Sequence, residues 1–508
     1  MRRIVLPFVV FTLVVTERVV AQDTVVTDTV ITAIRDMALN ESRLPSLAHE
    51  LLDVIGPRLT GSPGHEAAQA WLLERYASWG ITARNETYGT WRGWRRGHTH
   101  IDLVSPRIRT LEGTLLAWSP GTNGPVTGEA VVIPEVSGPA AFREWLSTVS
   151  GKFVLTSLPQ LSCRPEAEWE ASATPETLTR RQADLAATAQ AWSDRLARTG
   201  VPRSDLHSVL VDAGAVGLVT STWSGGWGVN RIFDALVEGA PTLDLSCEDY
   251  GLVFRLAENG SSPVLRLDAD AELLGEVPVS NTIAAIPGVE RSDEYVVLSA
   301  HFDSWDGASG ATDNGTGTIV MMEAMRILRA VYPEPRRTIL VGHWSGEEQG
   351  LNGSRAFAED HPEVVRGLQV LFNQDNGTGR IVSISMMGFT GLAPIVSGWL
   401  EQLPTEITQH IALDVPGTPA TGGSDHASFV CHGVPALRLG SHEWDYRTYT
   451  WHTNRDTFDK VVFDELRSNA ALVAMLAYLA SEEPELLPRD RITPQFGWPA
   501  CTPALRSW

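Results

Sequence analysis

Two adjacent carboxylates, Glu347 and Glu348, stand in Gly346-Glu-Glu-Gln-Gly350, directly after the apolar run Thr338–Trp344. The run reads as a buried strand. Withdrawing negative charge from water costs several kcal/mol per ion unless a cation or a proton compensates it. Other polar residues recur at the ends of apolar runs. His301-Phe-Asp303 follows Val296–Ala300, and Asp313 stands twelve residues beyond His301. Asp375 follows Leu368–Gln374, and His452 sits in Trp451-His-Thr-Asn454, beyond the run 434–439. Singly, each is most simply a solvated loop residue. Converging on one sheet edge, two imidazoles and three carboxylates suit divalent zinc, and more than four ligands suggest two ions sharing a bridging carboxylate. A metal pair would compensate Glu347 and Glu348.

Such convergence needs a sheet whose strands all end at one edge, and the pattern from Asn281 onward supplies it. Strands are expected over Tyr295–Ala300, Arg337–Trp344, Leu368–Gln374 and Val434–Leu439, with helices over Gly317–Ala330 and Phe463–Leu479. This alternation predicts an α/β domain with a substantial parallel part. Ligands of open α/β sheets gather beyond the C-terminal strand ends. Upstream, Asp28–Met37, Leu47–Ile55 and His65–Trp79 carry helical spacing, and Thr82–Val104 is strand-like. Between 112 and 275 the texture changes to short β-like runs (128–134, 152–157, 215–222, 264–267) parted by Gly, Pro and Ser. One helix is expected there, Pro175–Arg198, with Pro175 at its first position and Gly200 as its stop. This stretch reads as a second domain inserted into the first.

At 508 residues the chain exceeds the size at which single cores stop growing, so two domains are expected. A net charge of -21, from 40 basic and 61 acidic side chains, argues against nucleic acid and anionic membrane as partners. Arg2 and Arg3 precede the apolar stretch Ile4–Val15, and Val19-Val20-Ala21 offers small residues for cleavage. Residues 1–21 therefore read as a signal peptide cut near Ala21, giving a secreted or periplasmic protein without stable membrane insertion. The four cysteines show no CxxC spacing. Cys163 with Cys247 is the pair favoured if 112–275 is one domain.

His301-Phe-Asp303, Asp313-Asn-Gly, Gly346-Glu-Glu-Gln-Gly350, Asp375, Ser424-Asp-His426 and His452 together resemble the co-catalytic di-zinc exopeptidases of the bacterial leucyl aminopeptidase type. The branch they resemble most is that of carboxypeptidase Q, whose N-terminal motif is similar to Gly56-Pro-Arg-Leu-Thr-Gly-Ser62. The resemblance implies a mixed, largely parallel sheet flanked by helices, the zinc exopeptidase fold. The catalytic domain would span 28–111 and 276–485. A β-rich protease-associated domain would be inserted over 112–275, with Ala213-Gly-Ala-Val-Gly217 as its marker, and 486–508 would form a C-terminal tail. It further implies two Zn2+ per chain. His301 and Asp375 would hold one, Glu348 and His452 the other, and Asp313 would bridge them. Glu347 would be the general base and Asp303 would orient His301. The expected reaction is hydrolysis of short peptides, with aminopeptidase, carboxypeptidase and dipeptidase preference open and a homodimer suggested by the branch. Two rivals share the fold: a glutaminyl-cyclase-like acyl transferase, and a receptor-like binding protein with decayed ligands. The intact ligand set argues against both.

Other signals weigh less. Asp425 and His426 are expected to be structural or substrate-binding rather than ligands. Tyr446 and Tyr449 precede His452, where a phenol could stabilise an oxyanion; Tyr449 joins the candidate substrate-binding set. His343 is expected to pack within its strand, and His432 and His442 to lie on the surface. Trp91–Arg96 mixes aromatics with bases, and the acidic net charge favours a solvated strand edge. Of six Asn-x-Ser/Thr sequons, those at Asn314 and Asn376 each follow a proposed ligand, where a glycan would not fit.

Overall fold

A computed structural model describes residues 28–508; the expected signal peptide lies outside the described residues. Among these, fourteen strands occur: β1 (Thr82–Ser105), β2 (Arg109–Thr110), β3 (Gly113–Leu115), β4 (Val126–Val132), β5 (Phe153–Leu155), β6 (Gly217–Thr220), β7 (Thr242–Leu245), β8 (Val264–Ile286), β9 (Arg291–His301), β10 (Arg337–Trp344), β11 (Leu368–Gln374), β12 (Ile381–Ser385), β13 (Ala412–Asp414) and β14 (Ala436–Ser441). They pair in the order β13-β12-β14-β11-β9-β10-β8-β4-β5-β6-β7-β3, with β1 along β8 and β2 along β1.

Two sheets share one strand. The upper end of β8 (Thr282–Ile286) pairs with β10, and its lower end (Val264–Leu267) pairs with β4. Around β9 the first sheet is parallel, with β10 on one side and β11 and then β14 on the other. In the second, β4, β5, β6 and β7 run parallel and β3 closes the edge antiparallel. The long antiparallel ribbon β1/β8 runs the length of both. The segment between β2 and β8 is more helix than strand, its longest helix being Pro175–Arg198, capped by the Thr174 side chain.

The central strands lack polar alternation because both their faces are covered, as in doubly wound sheets. Every residue of β10 and β11 is buried. Successive side chains of a strand point to opposite faces. His343 accordingly meets the Tyr76 hydroxyl at 2.7 Å on one face, packed within its strand as expected. Trp344 packs against Phe357 and Phe429 on the other. The helices Thr29–Asn40, Thr316–Val331 and Phe463–Glu482 pack on one another and share one core with the sheet. Burying each large apolar side chain there contributes about 1.5–3 kcal/mol. His432 and His442 are exposed, as expected.

Two disulfides close the chain, Cys163–Cys247 and Cys431–Cys501. The first is the expected pair. The second tethers the C-terminal segment, whose Arg506 carbonyl accepts the Thr90 N–H at 2.9 Å and whose Trp508 lies against Trp91. Arg92, expected at a solvated strand edge, has its guanidinium between the rings of Trp118 and Trp508. Trp91 and Trp94 are buried. Trp91, Arg92 and Trp94 thus serve packing, whereas Arg95 is exposed, as expected of a solvated edge, and pairs with Glu272, and Arg96 pairs with Asp306.

Candidate metal centre

His301 is the last residue of β9, so the strand's own direction delivers it to the sheet edge. β10 ends one strand over at Trp344, and the chain turns through Gly346, at φ +67°, to present Glu347 and Glu348. An added Cβ at Gly346 would also lie 2.6 Å from the Tyr88 hydroxyl, so only glycine fits this turn. Asp375 follows β11, and Asp313 enters just ahead of the helix Thr316–Val331.

These groups converge as two clusters. In one, His301 Nε2 lies 3.2 Å from Asp375 Oδ1 and 3.9 Å from Glu347 Oε2. In the other, His452 Nε2 lies 2.9 Å from Glu348 Oε2 and 3.2 Å from Asp313 Oδ2. Asp313 joins them, its Oδ1 standing 3.5 Å from His301 Nε2. Each triad's donor atoms lie within 4.8 Å of one another, close enough to share a cation. Asp313 Oδ2 and Glu348 Oε1 are buried and accept no hydrogen bond from any described residue. A buried carboxylate oxygen left so is costly; both belong to the Asp313, Glu348 and His452 triad, where a divalent cation satisfies them, and the convergent donors of the other triad offer the place for a second. The residues present therefore fit two metal ions. The triad Cys431, His432 and Cys501 is not a comparable site, since both thiols are spent in a disulfide.

Asp303 is fully buried, and its closest atom to His301 Nδ1 is its own carbonyl, at 3.1 Å, with the carboxylate at 3.5 Å. The carboxylate also accepts the N–H groups of Glu347 and Glu348, both at 3.3 Å. One residue thus holds the imidazole and the acidic turn together. Asp456, which the sequence reading passed over, accepts the N–H groups of Thr312 at 2.8 Å and Asp313 at 3.0 Å. Arg58 was legible only as part of a turn motif. Its guanidinium is fully buried and donates to the carbonyls of Gly56, Phe302, Ser309 and Gly310, clamping the loop after β9.

The segment between β2 and β8 reaches this site. Ile232 N–H donates to the His452 carbonyl at 2.7 Å, and Asn454 N–H to the Asn230 carbonyl at 3.0 Å. His452 sits at φ +55°, in the left-handed region that costs a non-glycine residue energy, and these bonds hold it there. The rings of Phe233 and Trp305 wall its imidazole at 5.4 and 6.2 Å.

A cleft of about 720 Å³ opens onto both triads. Tyr446 lines it and Tyr449 does not; the Tyr449 ring packs against Gly226 instead. The candidate phenol is therefore Tyr446. Spacing misleads here because the short helix Tyr446–Tyr449 turns its two tyrosines in different directions. Asp425 and His426 are buried behind the wall that Gly422, Gly423 and Ser424 form, so neither lines the cleft as a substrate-binding residue would.

With no cation bound, the titrations follow from crowding. Burial, reinforced by Asp313 and opposed by His452, pushes Glu348 up to about 7. Burial likewise pushes Asp425 and Asp456 up to about 7. Burial alone would depress His452, but Glu348 and Asp313 outweigh it and raise it to about 10. A carboxyl raised in the folded state stabilises the fold below its unfolded value near 4, and that stability is lost as pH rises through 7. The histidine contribution is full below its unfolded value near 6.5 and is lost progressively as pH rises from there through 10, which adds to the loss at pH 8. The chelated chain is thus expected to melt several degrees lower at pH 8 than at pH 4.5, and metal to flatten that slope. Calorimetry across this range, with and without metal, checks it; equal melting temperatures in the chelated chain would contradict the assignment.

Residues 281–477 match peptidase family M28. Carboxypeptidase Q of Mus musculus is 25% identical over 445 residues, 87% of this chain and 86% of its own. The crystal structure of a peptidase M28 precursor from Shewanella amazonensis SB2B covers 90% of this chain and 98% of its own at TM-score 0.65 and 24% identity. A zinc aminopeptidase from Bacillus subtilis covers 88% and 97% at TM-score 0.55 and 17% identity. Those two structures share the fold.

Proposed function

Because the chain belongs to the co-catalytic zinc exopeptidases of peptidase family M28, near the carboxypeptidase Q branch, and is a zinc metallopeptidase, we propose that it hydrolyses short peptides with two zinc ions per chain. The observation that carries this reading is the pair of triads joined at Asp313. His301 and Asp375 would hold one ion, Glu348 and His452 the other, and Asp313 would bridge them. Zinc in this site would acidify water and polarise the scissile carbonyl.

The chain's own groups do the rest. Glu347 lies at the edge of the first triad and lines the cleft, so its carboxylate can take the proton of the attacking water and pass it to the leaving amine. Burial first, then Asp375, Asp425 and Glu348, raise its affinity for that proton, against the opposing charge of His301. The Tyr446 phenol, kept protonated by burial and the surrounding carboxylates, is the donor for the oxyanion. Asp303 keeps His301 and the Glu347–Glu348 turn in register.

In this reading 28–111 and 276–485 form the catalytic domain and 112–275 a protease-associated insertion that walls the cleft, with 486–508 as a tail. The bonds from Ile232 and Asn230 to the His452 loop support that wall. Secretion after cleavage near Ala21 is also part of it. Two disulfides agree with an oxidising compartment, and no helix among the described residues is long and apolar enough to cross a membrane.

The test is metal analysis with a dipeptide assay. Two zinc ions per chain, and turnover that a chelator abolishes and zinc restores, are the expected results. Turnover that survives complete metal removal would end the reading.

A further inference from the structure

The two imidazoles of the metal centre are held in different ways. His301 Nδ1 has the Asp303 carbonyl at 3.1 Å, the kind of partner that fixes a ligand ring. His452 Nδ1 is buried and bonds to no described residue. Its placement falls to its own main chain and to packing, and the segment between β2 and β8 supplies part of both. Ile232 bonds the His452 carbonyl, and the Phe233 ring meets the imidazole edge-on. We infer that Asn230, in that segment, is a positioning residue for His452, so that the ion at Glu348 and His452 binds tightly only while the segment is docked on the His452 loop. The inference rests on the two-ion reading above and deepens it.

Asn230 joins two elements with two parts of itself. It is buried in the connection between β6 and β7, where Arg231 N–H donates to the Thr222 carbonyl at 2.8 Å and closes a loop. Its side-chain Nδ2 donates to the Asp244 carboxylate and, at 2.5 Å, to the Leu245 carbonyl, both in β7. Its main chain bonds the His452 loop instead. Asn230 N–H donates to Asn454 Oδ1 at 3.0 Å, and its carbonyl accepts the Asn454 N–H at 3.0 Å. Arg231 then pairs antiparallel with Thr453, and Ile232 N–H reaches the His452 carbonyl at 2.7 Å. Residues 230–232 thus lie along 454–452 as a short antiparallel ladder.

This ladder ties a strand of the second sheet to a metal ligand. β7 holds Asn230, Asn230 holds Asn454, and Asn454 is two residues from His452. The histidine sits at φ +55°, a conformation that persists only where the surroundings impose it. Without the ladder, residues 452–454 would sample conformations in which Nε2 leaves Glu348 and Asp313. An ion would then meet a competent site only part of the time, and its apparent affinity would fall by that fraction. The other centre has no such dependence, since His301 ends β9 and Asp375 follows β11, both in the first sheet. Coupling between binding events is reciprocal, so an ion at Glu348 and His452 must equally hold the segment on the loop.

The experiment titrates the chelated full chain with buffered zinc. Asn230→Ala is expected to weaken one ion about ten- to a hundredfold and leave the other at parental affinity, which also shows that the variant folds. Asn454→Ala, which removes the oxygen that accepts the Asn230 N–H, should do the same. On a His452→Ala background, Asn230→Ala should change nothing further, because the ion it serves is already lost. Hydrogen exchange reads the coupling in reverse. Zinc should slow exchange at the Ile232 and Asn454 amides at least tenfold in the parent and at neither in His452→Ala. Both ions at parental affinity in Asn230→Ala and Asn454→Ala, both ions weakened alike, or a further loss on the His452→Ala background overturns the assignment. A parent that binds fewer than two ions defeats the two-ion reading instead, and exchange in the chelated chain then judges Asn230. Faster exchange at the Ile232 amide in Asn230→Ala, with β10 and β11 unchanged, upholds its hold on the loop; an unchanged rate overturns it.

Discussion

Glu347→Gln is expected to bind two zinc ions, melt like its parent and hydrolyse dipeptides about 10²–10⁴-fold more slowly, the contribution of a positioned general base. Glutamine keeps the shape and hydrogen-bonding reach of the side chain and removes only its capacity to hold and release a proton. Its neighbour Glu348 cannot take over. Glu348 Oε2 is directed at His452, 2.9 Å away, while Glu347 Oε2 stands 3.9 Å from His301, farther from that imidazole than Asp375 Oδ1 at 3.2 Å. The acid held least closely is the one free to move a proton. Their positions on the turn are fixed by two backbone N–H bonds to Asp303, which the substitution leaves intact. Metal analysis beside single-turnover kinetics checks the result. Loss of an ion would make Glu347 a ligand, and retained turnover would remove it from the reaction.

The contrast between these glutamates was half visible in the sequence. Adjacent acids after a buried strand signal compensation by cations, and Arg337–Trp344 and Leu368–Gln374 are strands with the expected bounds, because runs buried on both faces lack confusing alternation. The ribbon was not visible in the same way. β8 was expected to end near Leu267, yet it continues through Asp268–Glu276, where only Ala269 is buried and the residues beyond it are exposed or half-buried. What keeps it extended is residue-by-residue pairing with β1, a long-range fact that a local pattern does not carry. Asp456 and Arg58 escaped for a related reason. Each acts on backbone groups of a distant loop, so neither advertises its role by spacing to another side chain. Tyr446 and Tyr449 show the limit at short range, where three residues of helical turn decide which ring faces the cleft.

Asp313→Ala is expected to bring the zinc content close to zero, whereas His452→Ala should leave one ion per chain. The difference follows from position. His452 touches one triad only, so its loss leaves His301, Asp375 and Asp313 around the other centre. Asp313 is within 3.5 Å of the Nε2 atoms of both imidazoles, and its removal leaves each centre with one histidine and one acid, apart from Glu347. Two protein ligands fall short of the three that catalytic zinc sites retain. Hydrolysis should drop at least a thousandfold in both variants, so activity alone does not separate them; the ion count does. The fold should persist without Asp313, because Asp456 bonds to the N–H groups of residues 312 and 313, which alanine keeps. It also removes one negative charge from the carboxylates that crowd Glu348 and Asp456, so the chelated variant should lose less stability with rising pH than its chelated parent. Two zinc ions retained in Asp313→Ala would show that no shared carboxylate joins the centres, and the bridged geometry would fall with it.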